Sequence, residues 1–398
     1  MGSSRQSLYV AQTSGLIQFN GAGTQYLVQT PTGVLYFVFC DSGSDVAFKK
    51  STDNGLSWSA PVIVFAGTTT ALSIWYDRWS DIAAGLIHLA YQESATDDTL
   101  YRTINTESSD ALSTQTVIFL GASTATGGFC TISRARGGNV YCRTLIDAGA
   151  EGGFFRLPNA NVPNGAWDAA STINEANATT DQGILVPNLN NADTQDMLMI
   201  FWDASANQIS RQNYDDSANS WAETIFTGTF TDQVATTAFP HFAAAVDLTN
   251  SQIVVVAWNA IDTLNADLTC WTVTESAITA VTDVVTNSTD DQGLCGICVD
   301  TINGVWWVFY GGATGGGETF LTSINLYCKG STDSGTTWGP ETALTDTARD
   351  ITWLITVPRM LFAMPVPPPV MYHEDLVLDE LQINVRTVNP RTISLIGV

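Results

Sequence analysis

Basic residues are scarce. Fifteen Lys and Arg stand against 39 Asp and Glu, the net charge is −24, and only Lys49, Lys50 and Lys329 are lysines. A surface this negative repels nucleic-acid phosphates and anionic lipid, so neither a nucleic acid nor a membrane is expected as a partner. Long apolar runs are missing as well: no stretch approaches the roughly 20 residues of a membrane helix, and residues 1–15 contain no signal-peptide core. The expectation is a product made in the cytoplasm that reaches the outside of a cell, if at all, by another route.

Metal-ligand spacing is also absent. The three histidines, His88, His241 and His373, are 153 and 132 residues apart in apolar segments and are expected as core histidines. Seven cysteines (Cys40, Cys130, Cys142, Cys270, Cys295, Cys298, Cys328) make an odd number, which argues against a full disulfide framework. Cys295 and Cys298 form a C-x-x-C with no second pair to complete a zinc site, so they are expected as buried strand thiols. Neither a metal nor a cofactor is expected.

What the sequence does contain is a repeat. "STDNGLSW" at residues 51–58 returns as "STDSGTTW" at 331–338, each between strand-like runs. In such a hairpin turn the Asp carboxylate accepts backbone N–H groups, the Gly takes positive φ and the Trp packs beneath the loop. The expected turn residues are Asp53, Gly55 and Trp58 in the first copy and Asp333, Gly335 and Trp338 in the second. "YDDSANSW" keeps the interval of five at Asp216 and Trp221, "PNGAW" ends at Trp167, and Leu112, Ile278 and Ile393 fall where further copies would place the Trp. The positions 58, 112, 167, 221, 278, 338 and 393 are 54 to 60 residues apart. Asp181, Asp232 and Asp291, each in an Asp-Gln context, form a second series with the same period.

Each unit holds a small-residue or apolar strand, a very apolar second strand, a third leading into the Asp-turn, and a fourth. No helical 3.6-residue period competes with this pattern. The pattern predicts an all-β, seven-bladed β-propeller of four-stranded antiparallel blades over residues 21–398. The last blade is expected to contain its own fourth strand at "TISLIGV". Residues 1–20 are left as an N-terminal arm, to add a strand to the closing blade or to meet a partner. The alternative is a six-bladed sialidase-type propeller with a C-terminal extension.

The octapeptide is the Asp-box, or BNR repeat, and the chain resembles the sialidase-like propeller superfamily. That resemblance implies a fold more than a chemistry, because the box serves enzymes, binders and structural proteins alike. For a sialidase it would imply an arginine triad, the first arginine on the strand opening the first blade. That strand, "QYLVQTPTGVLYFVFC" at 25–40, has no arginine, and Gln25 or Gln29 cannot form a bidentate clamp. Sialic acid hydrolysis is therefore not expected. Arginines do stand on other opening strands: Arg78, Arg134, Arg136 and Arg359. Asp77, Arg78, Arg134 and Arg359 are the least improbable catalytic set, with Tyr76, His88, Tyr372 and Glu374 as possible neighbours. A propeller-type polysaccharide lyase would need His, Tyr and Arg together. In "SIWYDRWSD", Trp75, Tyr76 and Trp79 are the glycan-stacking candidates.

Residues 73–105 resemble BNR-repeat propellers of tailed bacteriophage virions. The leading expectation from that resemblance is a non-catalytic virion structural protein of head or tail, oligomeric within the assembly, with other virion proteins and host-surface glycans as partners. A glycoside hydrolase or polysaccharide lyase on the same fold is the alternative.

Overall fold

The computed structural model describes residues 5–12, 26–78, 85–121, 129–145, 152–170, 182–203, 206, 208–226, 242–259, 266–288, 295–311, 325–345, 351–361, 368, 370–374 and 380–386. Strands dominate it. Six sheets are blades, each made from one continuous stretch of chain in simple antiparallel order. Blade 1 runs Leu27–Gln29, Leu35–Cys40, Val46–Ser51, Val62–Phe65, and blade 2 runs Thr69–Tyr76, Leu86–Glu93, Thr99–Asn105, Thr116–Phe119. Blade 3 runs Cys130–Arg134, Val140–Leu145, Gly152–Leu157, Asp168–Ala169, and blade 4 runs Gln182–Pro187, Met197–Asp203, Gln208–Asp215, Ser220–Ile225. Blade 5 runs Phe242–Asp247, Gln252–Asn259, Ala266–Val273, Ile278–Ala280, and blade 6 runs Cys295–Asp300, Trp306–Gly311, Leu326–Ser331, Thr342–Ala343.

The remaining sheet is sewn from both ends of the chain. Ile351–Thr356, Val370–Glu374 and Glu380–Arg386 supply three strands, and Arg5–Gln12 pairs antiparallel with the last of them. The expectation of seven equivalent blades is thus corrected to six self-contained ones, the alternative count, with this composite sheet as the C-terminal part. The final unit has no described fourth strand of its own, since "TISLIGV" lies outside the described residues.

First strands of successive blades touch one another around the ring, from Thr69–Tyr76 through to Cys295–Asp300. Their neighbours are the very apolar second strands, buried on both faces, and the interblade space is filled by Val, Ile, Phe, Trp and Tyr. Antiparallel order puts the first-to-second and third-to-fourth turns at one end of the ring, here the turn end. The second-to-third connections and the passages to the next blade leave from the other. Among the described residues no helix is long and apolar enough to cross a membrane.

The two Asp-box turns are built alike. Asp53 Oδ1 accepts from Ser57 N at 2.8 Å and Oδ2 from Ser57 Oγ at 2.5 Å, while Ser51 Oγ accepts from Gly55 N at 2.8 Å. Asp333, Thr337, Ser331 and Gly335 repeat the arrangement at 2.9, 2.7 and 2.9 Å. Gly55 (φ 91°) and Gly335 (φ 81°) take the left-handed conformation, and so do Asn54 and Ser334 before them. Hydrogen bonds from Thr337 hold the Asp333 carboxyl below its ordinary value. Trp58, Leu112, Trp167 and Ile278 pack against one core, and Trp221 and Trp338 against its neighbours. Asp53→Ala is expected to cost about 1–3 kcal/mol through unsatisfied turn N–H groups. Urea unfolding checks this, and no activity should change.

Candidate functional site

The residue types named for chemistry cluster at the turn end between blades 2 and 3. Alternation along the strands explains why. Trp75 and Asp77 share one face of the first strand of blade 2, and Trp75 is register partner to His88 on the second. Tyr101, two residues before Thr103, the register partner of His88, lies on the same side of the third strand. Arg134 ends the first strand of blade 3, 57 residues beyond Asp77, and reaches back across the interblade space.

Arg134 Nη1 donates to Asp77 Oδ2, Nε to Gly138 O at 2.8 Å and Nη2 to Asn159 Oδ1 at 2.7 Å. His88 Nδ1 is 2.7 Å from the Tyr101 hydroxyl, and His88 Nε2 is 3.9 Å from Asp77 Oδ2. Trp167 closes over Tyr101 edge-on at 5.1 Å. Asp77, His88, Tyr101 and Arg134 are all buried. Burial pushes His88 below its ordinary value against the pull of Asp77, and burial pushes the Tyr101 hydroxyl well up. The histidine is therefore neutral and able to take a proton, and the tyrosine holds one.

The other expected residues do not join this group in an open pocket. Arg359 is buried with its guanidinium 6.0 Å from the Trp75 ring centroid, and burial lowers it to about 9, so it remains charged at neutral pH. Met360–Leu361 after it pairs in parallel with Val299 and Asp300, and touches the first strands of blades 1 and 5. Val357–Leu361 therefore spans the middle of the ring at the turn end, against blades 1, 2, 5 and 6. Arg78 is exposed. Trp75 and Tyr76 are 0% and 4% exposed, so neither offers a ring face to a sugar. Tyr76 is raised to about 12 by burial and by Glu107. For Tyr372, His373 and Glu374 only the strand backbone is described. Trp79, Asp181, Asp232, His241, Gln25, Asp291 and Ile393 lie outside the described residues. In the first strand of blade 1, Gln29 is buried.

One departure concerns structure. In the blade 4 turn, Asp215 accepts from Ala218 N and Ser217 Oγ, both at 2.8 Å. Asp216, expected in that role, instead takes Tyr141 OH at 2.7 Å and Arg156 Nη1 at 2.9 Å from blade 3. Asp110 of blade 2 holds Tyr36 and Lys50 of blade 1 in the same way. Cys295 and Cys298, three apart on one strand, point to opposite faces and both are buried. Among the described residues no three His, Cys, Asp or Glu side chains group as metal ligands would.

No protein-family model matches the sequence, and no curated protein matches it. Solved structures do match the fold. A PL25 polysaccharide lyase, an ulvan lyase bound to -[GlcA(1-4)Rha3S]-, is similar at TM-score 0.54 and 12% identity over 95% of both chains. NanB, a sialidase, is similar at TM-score 0.50 and 10% identity over 78% of this chain and 67% of its own. AofleA from Arthrobotrys oligospora is similar at TM-score 0.50 and 12% identity over 86% and 90%. The chain has a sialidase-like propeller fold. The lyase and sialidase matches correct the expectation of a non-catalytic bacteriophage virion protein, and none of the three structures is described as a virion component.

Proposed function

We propose that this sialidase-like propeller is a polysaccharide lyase that cleaves uronate-containing glycans by β-elimination. The observation that carries the reading is the meeting of a neutral His88 with a protonated Tyr101, 2.7 Å apart, beside Arg134 and Asp77. A β-elimination needs a base for the proton next to the carboxylate, an acid for the leaving oxygen and a cation to answer the carboxylate. His88, Tyr101 and Arg134 are of those three types. The end-to-end likeness to a lyase holding a glucuronate-containing saccharide supports the same reading. The group is enclosed, so in this proposal substrate binding and uncovering of the blade 2–3 junction are one event.

A panel of uronate polysaccharides, followed by the ultraviolet absorbance of the unsaturated product, tests this. Turnover is expected, with a loss of about 10²–10⁴-fold in Tyr101→Phe, assayed at a temperature at which the variant is folded. New reducing ends without the unsaturated chromophore would assign a glycoside hydrolase instead. Full turnover by folded Tyr101→Phe and His88→Gln variants would remove these residues from the chemistry.

A further inference from the structure

Blades 3, 4 and 5 meet around the 188–196 turn of blade 4, which carries an unusual density of carboxylates. Asp196 is 3% exposed. Its Oδ1 accepts from Asp216 N at 2.9 Å and its Oδ2 from Asn191 Nδ2. The same Asn191 Nδ2 donates to Glu275 Oε1 of blade 5 at 3.0 Å, so one amide stands between two carboxylates of different blades. Asp193 caps the turn through Gln195 N at 2.9 Å. Blade 3 grips the turn from its other side: Arg136 donates to the carbonyls of Asn188 and Asn191, and Gly137 N to Thr194 O at 2.7 Å. The remaining charged neighbours are accounted for. Arg156 and the Tyr141 hydroxyl are spent on Asp216, Asp215 caps its own turn, and Arg211 donates to Thr274 O at 2.7 Å. Tyr214 donates to Asn219. No cation is recorded in a bond to Asp196 among the described residues.

We propose that this junction is an acid-tightened fastener, in which protonation of buried Asp196 removes an enclosed charge and its repulsion from Glu275 across the Asn191 amide, and so tightens blade 4 against blade 5. The proposal is independent of the catalytic reading. Burial first, then Asp193, Asp215 and Glu275, push the Asp196 carboxyl up to about 6, against the Asp216 N–H that pulls it down. The sign follows from that direction. A carboxyl whose folded value lies above its unfolded one binds its proton more tightly when folded. Its contribution is complete below the unfolded value of about 3.9 and is lost as pH rises through about 6. Asp215 and Asp333 are held below their ordinary value, so they work in the opposite sense and weaken the fold only at lower pH. The contribution of this junction is therefore larger in mildly acidic solution than at pH 8.

Urea unfolding between pH 4.5 and pH 8 tests the fastener, with wild type, Asp196→Asn and, as a control for the overall negative charge, Glu223→Gln on the exposed fourth strand of blade 4. The folding equilibrium of wild type is expected to weaken by up to about 25-fold between pH 4.5 and pH 8. Asp196→Asn should lose that dependence, because it removes the titrating group, whereas Glu223→Gln should keep the wild-type slope. Glu275→Gln should strengthen the fold at pH 8 and move the transition to lower pH. A wild-type slope in Asp196→Asn or no effect of Glu275→Gln would each overturn the proposal.

Discussion

Asp77→Ala is expected to destabilise the propeller by about 3–5 kcal/mol, the cost of leaving a buried cation without its counter-charge. The Arg134 guanidinium would keep Gly138 O and Asn159 Oδ1, two neutral acceptors, in a place where water cannot replace a carboxylate. Asp77 is fully enclosed, and Arg134 is held in the blade 3 ladder opposite Val140, so the backbone has little freedom to carry the arginine out to solvent. The double variant Asp77→Ala, Arg134→Leu should lose less than Asp77→Ala alone, because it removes the orphaned charge along with its partner. Urea denaturation of the two single variants and the double measures the coupling directly. A loss in the double variant equal to the sum of the two single losses would mean that the pair is not coupled and contributes nothing beyond the volume of its side chains. The measurement also bears on function, since a lyase that uses Arg134 to answer a substrate carboxylate must release it from Asp77 during turnover.

Much of this fold is legible in the sequence, for a reason that the turns make plain. An Asp-box is a local device: Ser51, Asp53, Gly55, Ser57 and Trp58 are joined within eight residues by bonds that depend only on their order. The position of Trp58 recurs as Leu112, Trp167, Trp221, Ile278 and Trp338, each packed beneath its turn, so even degenerate copies keep the apolar contact and with it the period. The contacts between blades are different in kind. They depend on which face of a strand meets the next unit, and the sequence records that only as distance along the chain. The signal was nevertheless present. Tyr36 and Lys50 precede Asp110 by 74 and 60 residues, and Tyr141 and Arg156 precede Asp216 by 75 and 60. A tyrosine, a cation and a turn aspartate at two matching separations are one clamp used twice, and reading it would have moved Asp216 from the turn to the interface.

The candidate site was legible by residue type but not by state. The 57 residues from Asp77 to Arg134 are about one repeat, so equivalent positions of neighbouring blades were available for pairing. Nothing in the local sequence says that the two charges neutralise each other. Nor does it say that Arg359 is carried to the middle of the ring beside Trp75. The arginines that looked convergent in sequence are separated by the fold into a buried pair, a central plug and an exposed side chain.

Removing residues 1–12 should loosen the composite sheet. Arg5–Gln12 supplies the outermost strand of the composite sheet, paired along its length with Glu380–Arg386 apart from one irregularity between Tyr9 and Ala11. Each backbone hydrogen bond in such a ladder contributes about 0.5–1.5 kcal/mol, so losing the strand costs several kcal/mol before any side chain is counted. The consequence is larger than for an outer strand of blades 1–6. Those strands belong to sheets made of one stretch of chain, whereas this one ties the first residues of the protein to the last described strand and so resists separation of the ends. The truncated chain is expected to melt at markedly lower temperature, with hydrogen exchange accelerated first in Val370–Glu374 and Glu380–Arg386 and least in blades 3 and 4, which lie across the ring. A synthetic peptide of sequence RQSLYVAQ, added in excess, should restore part of the lost stability by mass action. Unchanged melting after truncation would show that the apolar contacts between neighbouring blades hold the ring without this strand.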